Sequence, residues 1–518
     1  MKNAIGVEIP AEIPGLGKLE PFQGAWTKLA KGWMDEAVSA PPLKAKRAHL
    51  DKLRNSLEEA IERCEPHDGM TVSFHHHLRG GDGVCVRTIE ILHKMGIKGI
   101  TLASSSLTSA HDALVPYLQD GTITRIWSSG IRDRLGEAVT RGALDVPVMI
   151  HSHGGRVRAV VTGKIKIDLA VIAASAADCE GNATGAVGPS AFGSLGYAMV
   201  DAEYARNVVV VTDNLVPYPC TPISIQQIHV DHVVKVDSIG DPKKIATGTT
   251  RITKSPLDLL IAEVASRVIE HSGYMVPGFS FQVGAGGASL AVAKFLRRTM
   301  RERGVKGGFA LGGVTSYVVE MLEEGLFDAV FDVQSFDALV SGSLAKDPRH
   351  IEISGSMYAN PFNCGSMTNK LDVVVLGALE VDEDFHVNVI TGSDGMIRGA
   401  SGGHCDTAAG ARLTVVVCPA FRGRMPIIKK VTQNVVTPGE SVDVVVTERG
   451  VAVNPAHEGL AERLSAAGLP VKDIVALRKE IEAITGAPRP IELTDRIVGL
   501  VEYRDGTIID IIRQVKQR

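Results

Sequence analysis

Short apolar runs recur along the chain between longer amphipathic stretches. Val208–Val211 and Val373–Leu376 are rich in β-branched residues and too short for helices, so they read as buried strands. They alternate with helical patterns such as Ala288–Met300 and Val318–Glu324, which predicts a largely parallel sheet flanked by helices. Further helices are predicted over Arg47–Arg63 and Leu257–His271. Past Pro455 the pattern gives helices that close the chain, then a short hairpin at Asp505-Gly506. The residues up to about 45 carry Pro and Gly clusters and are expected to form an arm that packs elsewhere.

The pattern occurs twice. "SFHHHLRGGDG" from Ser73 resembles "SFQVGAGGAS" from Ser280, an offset of 207, and "MGIKG" from Met95 meets "RGVKG" from Arg303 at 208. Thr108-Ser109 recurs as Thr315-Ser316, and Gly121 as Gly325. Asp168 and Asp178 are matched by Asp372 and Asp382, each 204 residues on. Ala205-Arg206 before "NVVVV" matches Ala411-Arg412 before "LTVVV" at 206. Each match alone is weak, but they keep one order and nearly one offset, so the fold class is α/β built from two tandem homologous units. The expected organisation is an N-terminal arm at 1–45, a first unit at 46–255, and a second unit at 256–518 that includes the C-terminal helices.

Composition narrows the chemistry. Glycine makes up 54 of 518 residues, about 10% against an average near 7%, with no collagen period. Loops that bring backbone close to a ligand would account for such an excess. A net charge of −4 and 5% aromatics give no basis for nucleic acid binding, by phosphate attraction or by base stacking. The seven cysteines are scattered with no CxxC pair, which fits a reducing, cytoplasmic setting better than a disulfide framework. Glu8, Pro10, Glu12 and Pro14 interrupt any signal-peptide pattern, and no apolar run approaches the ~20 residues needed to cross a bilayer.

Four places could carry chemistry. Gly284-Ala285-Gly286-Gly287 lies between a strand-like Phe279–Val283 and a helix, where free backbone N–H groups can meet an anion; a plain tight turn is the alternative. It is neither GxGxxG nor a P-loop. Ser401-Gly402-Gly403-His404 is again glycine-dense before a helix and suits an oxyanion or carboxylate, although His404 could be structural and Cys405 merely a small buried residue. Glu380 follows the strand Asp372–Leu376 at the end where open α/β sheets gather ligands; it could be a nucleophile or base, or part of a solvated acidic turn with Asp382, Glu383 and Asp384. Its ungapped partner in the first unit is Ala176, so one unit alone carries the acid. In His75-His76-His77, a strand would put His75 and His77 on one face; with Arg79 they could bind carboxylates or phosphate, or simply pack. Metal is the minor reading there, because no Cys, Asp or Glu stands at ligand spacing.

These residues carry a resemblance. The "Q-x-G-x-G" turn at Gln282–Gly286, "A-L-E-V-D" at Ala378–Asp382, "GG-x-x-D" at Gly402–Asp406 and "ADCEGNATG" at Ala177–Gly185 resemble the CoA-transferase superfamily. Through "FHHHLRGGDG", "DNLVPYPCTPISIQQ" and "GSMYANPFNCGSMTN" nearly the whole chain is similar to the family of citrate lyase alpha subunits. The resemblance implies two CoA-transferase-like domains and an enzyme that exchanges acetate for citrate on a thioester. That thioester would be acetyl-CoA or the phosphoribosyl-dephospho-CoA arm of an acyl carrier (gamma) subunit, with no cofactor attached to this chain. A lyase (beta) subunit and further copies of the chain are the implied partners, with no membrane or nucleic acid. Glu380 falls on the glutamate of covalent CoA-transferases, whereas citrate lyase alpha subunits are described as working through a mixed anhydride, so its role stays open between nucleophile and orienting base. Gly284, Gly286, Gly287, Gly402 and Gly403 would supply oxyanion donors, and His75, His77, Arg79, Ser401 and His404 are the carboxylate candidates. Free-standing CoA-transferase or thioesterase, citramalate lyase alpha subunit, and a non-enzymatic scaffold are the competing readings.

Overall fold

The computed structural model describes residues 1–32, 38–46, 48–246 and 253–516. Its two principal sheets have the same strand order, which is the three-dimensional form of the repeat. In the first, Thr71–Phe74 is central, with Ile100–Ser104, Ile123–Ser128 and Val148–Ile150 on one side, and Leu169–Ala174, Asn207–Thr212 and His232–Lys235 on the other. In the second, Ser280–Val283 is central, with Gly307–Val314, Phe327–Ser335 and His350–Glu352 on one side, and Val373–Gly377, Leu413–Val417 and Val444–Thr447 on the other. These strands are parallel to their neighbours. The chain therefore reverses direction across each sheet beside its central strand, and that crevice is where open α/β sheets bind ligands.

The apolar runs are strands because both of their faces are covered. Val373 and Val375 enter one apolar cluster while Val374 and Leu376 enter another on the opposite face. The predicted helices over Leu257–His271, Ala288–Met300 and Val318–Glu324 are present as Pro256–His271, Gly287–Arg303 and Ser316–Glu323. The helix predicted over Arg47–Arg63 is shorter, and Arg47 lies outside the described residues. Leu53–Arg54 instead pairs with Val233–Val234 as an edge strand, and the helix begins only at Leu57, where the Ser56 side chain accepts from the Glu59 N–H.

Both ends of the chain depart from the simple two-unit division. The last helices, Leu460–Ala466 and Ile474–Thr485, stay on the second unit, burying Leu460, Leu464, Leu477 and Ile481 there. The hairpin Leu493–Glu502/Ile508–Val515 does not. It returns to the first sheet, where Gly499, Leu500 and Val501 pair with Val148, Met149 and Ile150. The placement of 256–518 in one unit is thus corrected: the edge at Val148–Ile150 would otherwise expose unpaired backbone groups, and the hairpin covers it. The N-terminal arm lies on this hairpin, with Ile9 and Ile13 against Leu500 and Ile508. The Phe22 N–H donates to the Ile508 carbonyl (3.0 Å). The arm then reaches the second unit, where the Ala25 N–H donates to Glu440 (2.7 Å) and the Trp26 indole to the Ala409 carbonyl (3.1 Å). The predicted boundary at 255/256 follows residues 247–252, which lie outside the described ones. No helix among the described residues is long and apolar enough to cross a membrane.

Candidate active site

The C-terminal ends of the two central strands open into one cavity of about 360 Å³ shared by both units. From the first unit, the loops after Thr71–Phe74 and Ile123–Ser128 bring His76, Arg79 and Arg132, and the helix His153–Val161 brings His153. From the second come Gln282 to Ser289, Tyr358, Leu376 to Leu379 and Arg398 to His404. Backbone bonds stitch the two sides: Ser401 N–H to the Ser129 carbonyl (2.7 Å), Ile131 N–H to Gly399 (3.2 Å) and His153 N–H to Gly402 (2.7 Å). The approach is close enough to require glycine, since a Cβ on Gly130 would fall 2.1 Å from that of Ala400.

The glycine-rich turns both line this cavity. Gly284, Gly286 and Gly287 lead into the helix Gly287–Arg303, whose first turn receives no side-chain cap among the described residues. Its N–H groups therefore remain available to a ligand at the positive end of the helix. Gly286 sits at φ +139°, a conformation closed to other residues. Gly402 and Gly403 line the opposite wall, but the N–H groups of Ser401 and Gly402 already donate to Ser129, so that turn offers the Ser401 hydroxyl rather than those amides. Gly403 leaves no room for a side chain, because a Cβ would lie 2.6 Å from the Tyr358 hydroxyl.

Of the carboxylate candidates, Arg79, Ser401 and His404 line the cavity. Arg79 is buried with φ +54°, an uncommon backbone state, and its guanidinium has no acidic partner among the described residues. It lies 5.2 Å from the Phe336 ring centre. Burial and the neighbouring Arg132 push its pKa down to about 9. A buried guanidinium with a second positive charge beside it calls for an anion. The Ser401 hydroxyl is buried and lines the cavity.

His404 lines the cavity, but both ring nitrogens are engaged, Nε2 with the Gly377 carbonyl (3.0 Å) and Nδ1 with the Thr437 hydroxyl (2.7 Å). One donor and one acceptor suit a neutral imidazole, and burial lowers its pKa to about 4, so it is a structural histidine. The thiol of Cys405 is buried and its pKa raised, chiefly by that burial.

His75, His77 and Glu380 do not line the cavity. The alternation expected for the histidines is right, but the face is the other one. His75 and His77 bond the carbonyls of Ala173 (3.0 Å) and Ile239 (3.1 Å), while His76 faces the site. Glu380 is 2% exposed, and its carboxylate is held by Lys429, the Asn388 amide (3.0 Å) and the Gln433 N–H (2.8 Å). It belongs to a small hairpin, Glu380–Val381 with Val387–Asn388, whose counterpart pairs Ala176–Ala177 with Ala183–Thr184. The alignment of Glu380 with Ala176 therefore stands. The acid went into an internal ion pair because the chain turns away from the cavity after Leu379. The sole carboxylate lining the cavity among the described residues is Asp258, which accepts from the Thr253 hydroxyl (2.8 Å).

Sequence reading missed His76, Arg132, His153, Gln282 and Tyr358. His76 was reachable by choosing the other strand face, and Gln282 stands within the quoted "Q-x-G-x-G". Arg132 and His153 carry no local signal, since a distant loop and a separate helix start bring them in. The His76 Nε2 bonds the Gln334 amide oxygen across the units (2.8 Å). Burial, Arg79 and Arg156 lower His153 to about 3, so it is neutral at pH 7. Buried polar atoms without partners among the described residues converge here: His153 Nδ1, Gln282 Oε1 and Ser289 Oγ. Such atoms are costly unless a ligand meets them. The arrangement suits a small polyanion placed against a second, acyl-bearing group near the Gly286-Gly287 amides.

A family model described as "Citrate lyase, alpha subunit (CitF)" matches residues 50–515. The citrate lyase alpha chain of Escherichia coli (strain K12) is 50% identical over 495 residues, covering 95% of this chain and 97% of its own. That of Klebsiella pneumoniae is 50% identical over 465 residues, covering 90% and 92%. Among solved structures, the alpha subunit of citrate lyase from Streptococcus mutans, in complex with citrate, superposes with a TM-score of 0.95 at 48% identity over 100% of both chains. A Pseudomonas malonate decarboxylase hetero-tetramer in complex with malonate gives 0.64 at 18% identity over 84% and 86%, a likeness of fold alone.

Proposed function

The chain belongs to the family of citrate lyase alpha subunits, and from that premise we propose that it exchanges acetate for citrate on a thioester. A citrate carboxylate oxygen attacks the acetyl thioester carbonyl, the C–S bond breaks and a thiolate leaves, giving a mixed anhydride. The thiolate then attacks the citryl carbonyl, the anhydride C–O bond breaks and acetate departs. No net proton transfer occurs, so the steps need no general base, in keeping with the weak basicity that burial imposes on His76 and His153. Arg79 and Arg132 hold substrate carboxylates. The free N–H groups at the start of the helix Gly287–Arg303 stabilise the oxyanion of each tetrahedral intermediate, and one such donor is worth roughly 10²–10³ in rate. The observation that carries the reading is Arg79, a buried guanidinium with no acidic partner among the described residues, in one cavity with a helix start that none of them caps.

The withdrawn position of Glu380 favours direct attack by substrate over a glutamyl thioester. The acyl group would arrive on the phosphoribosyl-dephospho-CoA arm of an acyl carrier (gamma) subunit, or on acetyl-CoA. The lyase (beta) subunit would cleave the citryl thioester, and more than one copy of this chain would serve the complex. All seven cysteines are free thiols, in keeping with the cytoplasm. The test supplies the chain with citrate and either acetylated carrier protein or acetyl-CoA, and follows acetate release and citryl thioester. Citrate-dependent exchange is expected, with no borohydride- or hydroxylamine-trapped adduct at Glu380. Exchange on acetyl-CoA alone, with none on the carrier, would favour a free-standing CoA-transferase. Inactivity on both would favour a scaffold.

A further inference from the structure

Gln282 is the penultimate residue of the central strand of the second sheet and faces the cavity. Its amide is placed with Nε2 donating to the Tyr358 hydroxyl at 2.8 Å. It is also confined from above: a Cβ on Gly312 would stand 2.6 Å from the amide, so this strand position opposite must be glycine. The amide oxygen, Oε1, is buried and receives no hydrogen among the described residues.

An amide oxygen can only accept. The other groups that converge on the cavity mostly donate, namely the guanidinium groups, the first-turn amides and the Ser289 and Ser401 hydroxyls. Substrate carboxylates satisfy donors, but they bring no hydrogen for Gln282 and would repel its oxygen. Acetate and a thioester carbonyl lack one as well. The only hydrogen-bond donor carried by the ionised acid is its alcohol. We propose that Gln282 Oε1 accepts the alcohol hydroxyl of the substrate, which makes Gln282 a specificity-determining residue that selects hydroxylated polycarboxylates. This assignment rests on the exchange reading above and names which part of the acid the site reads. A buried acceptor that one ligand pairs and its analogue leaves unpaired discriminates strongly, because the analogue bears the full desolvation penalty.

The test is calorimetric titration of the full chain with citrate and with propane-1,2,3-tricarboxylate, which differ by the hydroxyl alone. The wild-type chain is expected to bind citrate about 10- to 100-fold tighter. In Gln282→Met, which keeps length but removes the acceptor, citrate affinity should fall to that of the analogue while the analogue is held as before. Gln282→Asn, which withdraws the amide by one methylene, should shift the ratio the same way and decides the matter if the Met variant melts early. A ratio unchanged in a folded variant, or equal binding of both acids by the wild-type chain, overturns the assignment alone. A wild-type chain that binds neither acid overturns the exchange reading, and this assignment with it.

Discussion

Arg79 and Glu380 show how differently two charged residues can be used when each is buried. Arg79 occupies an unfavourable left-handed backbone state, held there by the Thr108 hydroxyl on its carbonyl (3.0 Å), and it faces a cavity. Its replacement by alanine removes a charge-assisted contact to the substrate, typically about 1.5–3 kcal/mol, so the citrate KM should rise by about 10- to 100-fold with the fold intact. Lysine should restore part of that loss, lacking the planar fork. Steady-state kinetics on both variants check this. Glu380, in contrast, is half of a buried pair. Glu380→Gln leaves Lys429 charged and buried, and should cost about 3–5 kcal/mol of stability. Adding Lys429→Met should recover much of it. Thermal unfolding, read with activity per folded chain, separates this from catalysis: a stable but inactive double variant would return Glu380 to the chemistry.

At the scale of elements, the glycine-rich turns were legible because glycine before a helix has few uses, and both turns do line the cavity. What each contributes was not legible. The amides of Ser401 and Gly402 are engaged by Ser129, a residue some 270 positions earlier, whereas the first turn of Gly287–Arg303 is left uncapped among the described residues. The C-terminal hairpin was seen as a hairpin, but its partner strand at Val148–Ile150 lies far back in the chain. Deleting residues from 487 onward removes Leu500 and Ile508 and should uncover Met149 and the arm residues Ile9 and Ile13, each worth about 1.5–3 kcal/mol of burial. Such a truncation is expected to be insoluble or to melt far below the full chain, as differential scanning calorimetry would show. A truncated chain with an unchanged melting temperature would mean that the hairpin is an ornament to the first sheet.

For the whole molecule, the balance of buried titratable groups sets the acid response. His75, His76, His153 and His404 are buried and held neutral, with pKa values lowered to about 3, well below normal, about 3 and about 4, first of all by desolvation. The unfolded chain takes up these protons near pH 6.5 and the folded chain does not, so stability falls as pH drops below about 6.5, by up to about 1.4 kcal/mol per pH unit for each fully buried group. Asp406 and Asp510 act in the opposite sense. Burial raises both to about 6, so their contribution is present at low pH and is lost as pH rises through 6. Four histidines outweigh two carboxyls, and the melting temperature should decline from pH 7 to pH 5. In an Asp406→Asn/Asp510→Asn variant the decline should be steeper, because the offset is gone.

The sequence by itself determined the repeated, largely parallel α/β unit and the places where backbone would be exposed to a ligand. Those follow from local periodicity, from glycine's freedom and from an offset visible in the residues. Tertiary structure alone decided which groups share the cavity. His76 rather than His75 and His77 faces it, Arg132 and His153 enter from separate loops, and Glu380 is drawn into a pair with Lys429 across 49 positions. Such choices depend on the facing of two sheets and on which partner a charge meets on burial, quantities that no spacing along the chain encodes. The excess of glycine with which the chain announces itself is, in part, the means by which the two sheets approach closely enough to make one site.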